Sequence, residues 1–471
     1  AEILERQTSG GSPSQPALLA YHFSEAGDVE KAIPYWTQAS RQSLASFANQ
    51  EAVEQARRGI KLLKAIPEST QRAGQEVALQ SVLGTALLSI HGYTDSRVRK
   101  VFTRAQDLCE QIGDAPQLFQ VAVGLWMYYI ITAQFDEAYG LSQRLLRIAE
   151  TTDNPAQHLQ ARYCQAFILY YRADFLTAKS HLETAIEGEV EDCDYASQSA
   201  SGDDTRIHVR VLLALINWHL GFPKTAAKQA KKANAIAKKA GHPWGETFAA
   251  FYSAWFHQLR GDAKKTLAYA GEAARIAKEK GFRFWMPLVG FMSSWAQNRD
   301  ASDVSKPLEA EGVEKMKAAL DLYRGIGVGF GMTYLSFKLA EEYIGLGMHE
   351  PAVAELETAW NTLQSTEEDF FKPEYYRLHG RIWLARHRES SEAEQLNEAD
   401  TLFRKALSTA QNKESKGLEL RAANDLAEVL VLQGDSAGAV KLLSGILHRF
   451  DEVDDSEDCV RASKMLKKLK K

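Results

Sequence analysis

Leu339-Ala340-Glu341-Glu342-Tyr343-Ile344-Gly345-Leu346-Gly347, followed by Ala352, Leu356 and Ala359, is the stretch that decides the fold. Ala352, Leu356 and Ala359 are spaced by four and then three residues, so they share one face of a helix. Gly347 stands between that helix and the one carrying Ala340, where a left-handed residue ends a helix at least cost. The same order recurs outward along the chain. Ala32-Trp36-Ala39, Ala178-Leu182-Ala185, Ala226-Ala230-Ala233 and Ala399-Phe403-Ala406 repeat the face, and Ala439-Leu443-Ile446 repeats it more loosely. Gly27, Gly221, Gly261 and Gly434 repeat the break, with Ala20, Ala214, Ala254 and Ala427 one helical stretch before them.

Helical hairpins whose backbones cross so closely that only Ala or Gly fits have this signature, and it is the logic of the tetratricopeptide repeat. The first residue of the small–bulky–small face falls at 98 (a Val), 138, 178, 226, 266, 312, 352, 399 and 439, intervals of 40 to 48 residues. A plain repeat is about 34 residues. Each helix is therefore nearly a turn longer, roughly 15–18 residues or ~25 Å. Polar insertions at 187–204, 298–310 and 388–397 read as surface loops. Alternating Val/Ile/Thr runs of the kind strands need are absent. The expected fold is all-α: a tetratricopeptide-like helical-hairpin solenoid, a right-handed superhelix of about ten hairpins of ~40 residues. Residues 1–14 read as a polar leader at the junction with an upstream domain, and 15–450 as one continuous solenoid. Residues 451–471 read as an acidic loop and a capping helix, with Val460, Met465 and Leu466 covering the last hairpin and Lys464, Lys467, Lys468, Lys470 and Lys471 toward water.

Composition narrows the function. The chain is 45% apolar and 25% charged, ordinary for a globular protein. No stretch approaches the ~20 apolar residues that cross a bilayer. The net charge of −5 argues against a nucleic-acid-wrapping protein. Twelve prolines in 471 residues favour long helices. Cys109, Cys164, Cys193 and Cys459 are far apart and form no CxxC pair, so neither a disulfide framework nor a zinc site is expected and a cytoplasmic home is. The chain begins with Ala1 and has no apolar leader segment, so it reads as a piece of a longer chain or a processed product.

Candidate chemistry is sparse. No Gly-Lys dipeptide occurs, hence no phosphate-binding Gly-x-x-x-x-Gly-Lys-Ser/Thr loop. The run Gly325-Ile326-Gly327-Val328-Gly329-Phe330-Gly331 misses the dinucleotide spacing, since Phe330 and Met332 stand where Gly is needed, and reads as a linker. His349-Glu350 lacks the second His at Val353. No Gly-x-Ser-x-Gly elbow frames a hydrolase. The acids Glu341-Glu342 and Glu367-Glu368-Asp369 read as solvated charge, and Lys224, Lys228, Lys231, Lys232, Lys238 and Lys239 as a solvated helix face. Catalytic residues, metal ligands and cofactors are therefore all expected to be none.

The aromatic residues are the informative set. In the tetratricopeptide register, positions 2, 5, 9 and 12 of a first helix face the concave groove. Counting Ala166, Ala214, Ala254 and Ala340 as position 8 puts Tyr163, Phe167, Tyr170, His208, Trp218, Phe248, Phe251, Trp255, Tyr334 and Phe337 there. Such a groove binds a peptide or protein through stacking and apolar burial, or wraps a small effector. The competing reading is that long helices bury both faces and these rings are core.

Several stretches resemble a known family. They are Gln15-Pro16-Ala17-Leu18-Leu19-Ala20-Tyr21-His22-Phe23 with Glu25-Ala26-Gly27 and Ala32-Ile33-Pro34-Tyr35-Trp36; Leu83-Gly84-Thr85-Ala86-Leu87 with Gly92-Tyr93; Ala105, Leu108-Cys109 and Ile112-Gly113-Asp114; and Lys416-Gly417-Leu418-Glu419-Leu420-Arg421-Ala422-Ala423. Together they resemble the C-terminal repeat region of bacterial multidomain proteins that join a class III adenylate/guanylate cyclase domain, an AAA/STAND-type ATPase and tetratricopeptide repeats. Similar regions also follow ATPase domains in STAND transcriptional regulators. The resemblance implies a sensor or docking arm with an ATPase or cyclase domain upstream in cis. The expectation is a non-catalytic binding module for a protein, peptide or small effector, with no membrane span and no nucleic acid. The alternatives are a stand-alone scaffold joining two proteins and the sensor region of a STAND-type regulator.

Overall fold

The computed structural model of the chain describes residues 15–91, 95–112, 119–199, 201–299, 309–450 and 452–470. The leader at 1–14, the motif residues Gly92, Tyr93, Gly113 and Asp114 and most of the 298–310 insertion lie outside the described residues. Among the described residues there are α-helices and one short 3-10 turn, and no strand. The chain divides into two compact units. Unit 1 comprises Ala1–Cys164, Ser197–Gly202 and Ile326–Val328, and unit 2 comprises Gln165–Ala196, Asp203–Gly325 and Gly329–Lys471.

Unit 1 holds α1 (Pro16–Glu25), α2 (Val29–Ala45), α3 (Asn49–Leu63), α4 (Thr70–His91), α5 (Ser96–Ile112), α6 (Phe119–Ile131) and α7 (Phe135–Glu150). The division falls inside α8 (Pro155–Tyr171). Unit 2 continues with α9 (Phe175–Glu187), α10 (Thr205–His219), α11 (Pro223–Ala240), α12 (Pro243–Leu259), α13 (Ala263–Lys280), α14 (Trp285–Asn298) and α15 (Ala310–Gly325). It ends with α16 (Met332–Gly345), α17 (His349–Thr366), the 3-10 turn Asp369–Phe371, α18 (Lys372–Ser390), α19 (Ala393–Asn412), α20 (Lys416–Leu432), α21 (Ser436–His448) and α22 (Glu457–Leu469). Helix α3 stands between the first hairpin and the next, packed on both α2 and α4, before the alternation of hairpins resumes.

Local chemistry sets the hairpin turns. Gly27, Gly221, Gly261, Gly347 and Gly434 all have φ between +72° and +84°, the left-handed conformation that costs an L side chain most. Asp28, Asp262 and Asp435 follow three of these and cap the next helix, each accepting a hydrogen bond from the backbone N–H three residues on. Close backbone crossing is explicit at Gly380, where an added Cβ would lie 2.7 Å from the Phe403 ring. The small–bulky–small stripes are buried throughout, including Ala32, Trp36, Ala178, Leu182, Ala352, Leu356, Ala399 and Phe403.

First and second helices of the hairpins differ in kind. In α11 the alanines Ala226, Ala230, Ala233 and Ala237 are buried while Lys224, Lys228, Lys231, Lys232, Lys238 and Lys239 are exposed. That is a one-sided amphipathic helix. In α10, by contrast, every residue but Arg206 is buried, and α12, α16 and α20 are nearly as complete. A helix buried all round has partners on both faces. In unit 2 those partners include the chain's own end. The Gly417 backbone packs against Trp218 at the start of α20, and α20 contacts α10. Glu452 caps α11, accepting from the backbone N–H of Lys224 (2.7 Å) and Thr225 (2.9 Å) and from Thr225 Oγ1 (2.8 Å). The Arg260 guanidinium meets Asp454 (2.9 Å) and Asp455 (2.5 Å).

Three sequence expectations need correction here. The 187–204 insertion is partly folded in. Tyr195 is buried with the Arg206 guanidinium over its ring, and buried Asp203 pairs with His208. The insertion at 388–397 is taken up by longer helices, since α18 and α19 run 19 and 20 residues and nearly meet. In α22 the buried residues are Cys459 and Ala462, Met465 and Leu466 are partly buried against the last hairpin, and Val460 is exposed. All four cysteines are free.

Candidate binding chamber

The ten groove candidates fall in two places. Tyr163 lies in unit 1, buried edge-on against Trp126 (5.9 Å between centroids). The other nine lie in unit 2, where all are buried except half-buried Phe248. Their rings touch in series. Phe167 meets Tyr171 (4.9 Å). Tyr170 meets Tyr171 (5.3 Å) and His219 (5.7 Å), and His219 meets Trp218 (4.9 Å). At the other end His208 lies on Phe248 (4.2 Å), Phe248 and Phe251 lie on Trp285, and Phe251 meets Trp255. Trp255 stacks on Tyr334 at 4.6 Å. Phe337 is buried one turn further along α16.

What joins the two ends is a segment that sequence reasoning took for a solvated loop. The 3-10 turn puts Phe370 against Tyr170 (5.2 Å) and Tyr171 (4.8 Å). It puts Phe371 against His219 (5.5 Å) and Tyr334 (4.9 Å), parallel to Trp218. Glu368, expected in water, is fully buried. Its carboxyl accepts from the N–H of Gly331 (2.6 Å) and Thr333 (3.3 Å) and from Thr333 Oγ1 (2.7 Å), at the N-terminus of α16. Burial outweighs those bonds and pushes the carboxyl up to about 7. Asp369, half-buried outside the rings, meets Lys372 and Lys413.

Around the two phenylalanines several polar atoms have no partner among the described residues: Tyr170 Oη, His219 Nε2, Trp255 Nε1 and Gln258 Nε2. Gln258 Oε1 accepts from Tyr334 (2.5 Å), and His219 Nδ1 lies 2.7 Å from Ser415 Oγ. Burial, with Arg421 nearby, holds His219 well below the usual histidine range, so the ring is neutral. The Ser415–His219 pair is closed off, and no acid orients the free ring nitrogen among the described residues, as a nucleophile–base pair needs.

A second feature escaped sequence reasoning entirely. Beside the rings, with the Arg421 guanidinium lying over Trp218, α16, α18 and α20 meet through charge. Arg377, 1% exposed, donates to Glu374 (2.7 Å), Glu341 (2.7 Å) and Asp425 (2.9 Å). Lys338 and Arg381 also reach Glu341. Arg421 meets Asp458 and Glu374 and donates to the Leu259 carbonyl. Arg461 meets Asp425 and Glu428, and Arg299 meets Glu342. The cations Arg299, Lys338, Arg377, Arg381, Arg421 and Arg461 face an equal number of anions, so the network holds no surplus charge for a ligand. Glu341 and Glu342, expected in water, are buried in it. The register itself could have found this, because counting Gly380 and Ala427 as position 8 places Glu374, Arg377, Arg381, Arg421 and Glu428 inward.

Unit 1 carries a surface cavity of about 350 Å³ lined by α1, α2 and α3, with Leu18, Tyr21, Trp36, Glu51 and Arg58 on its walls. Among the described residues no helix is long and apolar enough to cross a membrane, and no group of three or more His, Cys, Asp or Glu is placed to hold a metal ion.

Comparison with known proteins adds the following. No family model matches the chain. An uncharacterised protein of Rhizobium meliloti (strain 1021) is 22% identical over 428 residues, covering 88% of this chain and 39% of that protein. The chain thus spans about two fifths of the length of the curated relative it matches. Among solved structures, a Rap protein complexed with competence and sporulation factor has a TM-score of 0.53 at 14% identity, over 84% of this chain and 99% of that one. The human IFIT1 dimer with m7Gppp-AAAA has a TM-score of 0.44 at 13% identity, over 94% and 96%. The likeness to the Rap protein is one of fold, and the chain has a tetratricopeptide-like helical-repeat fold.

Proposed function

We propose that this chain is a non-catalytic repeat module that binds a peptide, or a peptide-like segment of a protein, in the aromatic chamber of unit 2. One observation carries the reading. The chamber already holds an irregular stretch of polypeptide, the chain's own turn at Phe370 and Phe371, and still leaves four buried polar atoms without partners. Mixed donors and acceptors among aromatic walls suit a peptide, whose backbone offers both. The solved Rap structure of similar fold is itself a complex with competence and sporulation factor, which is in keeping with this reading.

The test is selection of binders from a random peptide library against the full chain, followed by titration of the Trp255→Phe and Tyr170→Phe variants. Tyr170→Phe keeps the ring and Trp255→Phe keeps an aromatic of smaller size, and each removes one unpartnered polar atom. A loss of about tenfold in affinity is expected for each. Unchanged affinity in both, or no binder at all, would sink the reading.

The module is further proposed to be the regulatory arm of a larger signalling ATPase or nucleotidyl cyclase, through the family resemblance of its sequence. The greater length of the Rhizobium relative supports a multidomain setting. Mass spectrometry of the endogenous protein tests this. Upstream peptides carrying a Gly-Lys-Ser/Thr phosphate loop are expected, and a native mass of 52.5 kDa would refute it.

A further inference from the structure

The way unit 2 holds its own turn specifies what else the chamber accepts. The segment has three anchoring points. Glu368 puts a carboxyl on the N-terminus of α16, against Gly331 and Thr333. Phe370 and Phe371 fill two separate aromatic sockets, one walled by Tyr170 and Tyr171 and the other by Trp218, His219 and Tyr334. Asp369, between them, points away from the rings toward Lys413.

The segment is also an imperfect occupant. It leaves α17 through Glu367, a non-glycine residue at φ +58°, a conformation that strains an L side chain. As a tight turn it offers nothing to Tyr170 Oη, Trp255 Nε1, Gln258 Nε2 or His219 Nε2, which all remain unpartnered. Each of these lies on a residue that touches Phe370 or Phe371, or one step away through Tyr334. An extended peptide laid along the same sockets presents backbone N–H and C=O groups to them. A partner therefore gains hydrogen bonds that the resident turn cannot make.

We propose that unit 2 binds, from a partner, an extended peptide of the pattern acid–x–aromatic–aromatic, and that Glu368-Asp369-Phe370-Phe371 is a resident mimic which occupies the site until such a peptide displaces it. This rests on the peptide-binding function proposed above and names its ligand. The carboxylate is specified by the helix N-terminus and the aromatic pair by the sockets. The position between them tolerates variation, with a preference for an acid beside Lys413.

The experiment uses the full chain and the acetylated, amidated peptide Thr-Glu-Glu-Asp-Phe-Phe-Lys, which copies residues 366–372. Binding is read by calorimetry on the wild type and on Phe371→Ala, which vacates one socket. Phe371→Leu is the milder variant should Phe371→Ala not fold. The expected result is measurable binding to the wild type and at least about tenfold tighter binding to the variant, because the competitor is weakened. A control peptide with both Phe replaced by Ala, and another with Lys at the second Glu, which sets a cation against the N-terminus of α16, are expected to lose most of that affinity. Absence of binding to the wild type at about 1 mM peptide would show that the turn is permanent core and overturn the proposal. Equal affinity for the control peptides would overturn it too. The library selection separates the two levels. Binders that lack acid–x–aromatic–aromatic yet weaken with Trp255→Phe overturn this inference and leave the peptide function standing, whereas no binder at all removes both.

Discussion

On the side of α10 and α12 the interior of unit 2 is ring against ring, and on the side of α18 and α20 it is guanidinium against carboxylate. The rings are almost wholly buried and the centre of the charged side at Arg377 equally so, although Arg299, Arg381 and Arg461 keep about a third of their side chains exposed, and both sides draw on inward positions of the same repeat. They differ in what surrounds their unmet polar atoms. The charged side balances its cations and anions, and Arg377 alone satisfies three carboxylates. Both sides leave some buried polar atoms unpartnered, Arg421 Nη1 and Glu342 Oε2 among the charges, but on the aromatic side these atoms surround two phenylalanines that enter from a turn. A closed ionic network fixes geometry but has little to give a ligand, since breaking it exposes uncompensated charge. Apolar packing is non-directional and refills more readily. The contrast teaches that the side proposed for exchange is the one where unmet hydrogen bonds surround a segment held by apolar packing, although the side with the charges looks more like a site.

The contrast can be broken in several ways. Arg377→Met removes the guanidinium shared by Glu374, Glu341 and Asp425 and leaves each with only its more peripheral cations, and a loss of roughly 5 kcal/mol in urea unfolding of the full chain is expected. Phe370→Ala leaves a cavity among rings, for an expected loss of about 3–4 kcal/mol in the same assay. If Phe370→Ala proves the costlier of the two, the charged side is not the rigid one.

Proton linkage should separate the sides by sign. Glu368 titrates near 7 in the fold, above its ordinary 4.5. Its burial is therefore best tolerated below pH 4.5, and about 3 kcal/mol of stability is lost as pH rises through 7. Asp425 is held down to about 2 by Arg461 and Arg377 against the cost of burial. Its contribution is present above its ordinary 3.8 and lost as pH falls through 2. Unfolding midpoints from pH 2 to 8 should show Glu368→Gln flattening the decline between about pH 4.5 and 7, and Asp425→Asn flattening the loss between about pH 3.8 and 2.

The smallest effect sharpens the comparison most. Tyr170→Phe removes a buried hydroxyl that has no partner, so stability should be unchanged or rise by up to ~1 kcal/mol while peptide affinity falls. A clear loss of stability would mean the hydroxyl is satisfied within the fold, and the aromatic side would lose its claim as the site.

Much of the candidate site could be read from the register, and the part that could not has a definite cause. The Ala–Gly–Ala spacing marks the inward residues of each first helix, which is how the buried rings could be named. The same count applied to Gly380 and Ala427 reaches the charged residues, but charges read as solvated when taken one helix at a time. The apolar run Val211–Ile216 within α10 is the sign that long helices bury both faces, the competing reading of those rings. Nothing local marks Glu368, because three successive acids before Phe370-Phe371 look like a loop in water. Its partners Gly331 and Thr333 lie 37 and 35 residues away.

The sequence by itself determined the helices, the turns and which face of each helix packs. These depend on periodicity, on glycines that reach positive φ and on aspartates that cap, all of which act over a few residues. Only the tertiary structure decided what meets across unit 2. The aromatic turn, the charge network and the Glu452 cap on α11 join residues 30 to more than 200 positions apart. Such pairings depend on how successive hairpins curve back on one another, and in this chain no short-range pattern records that.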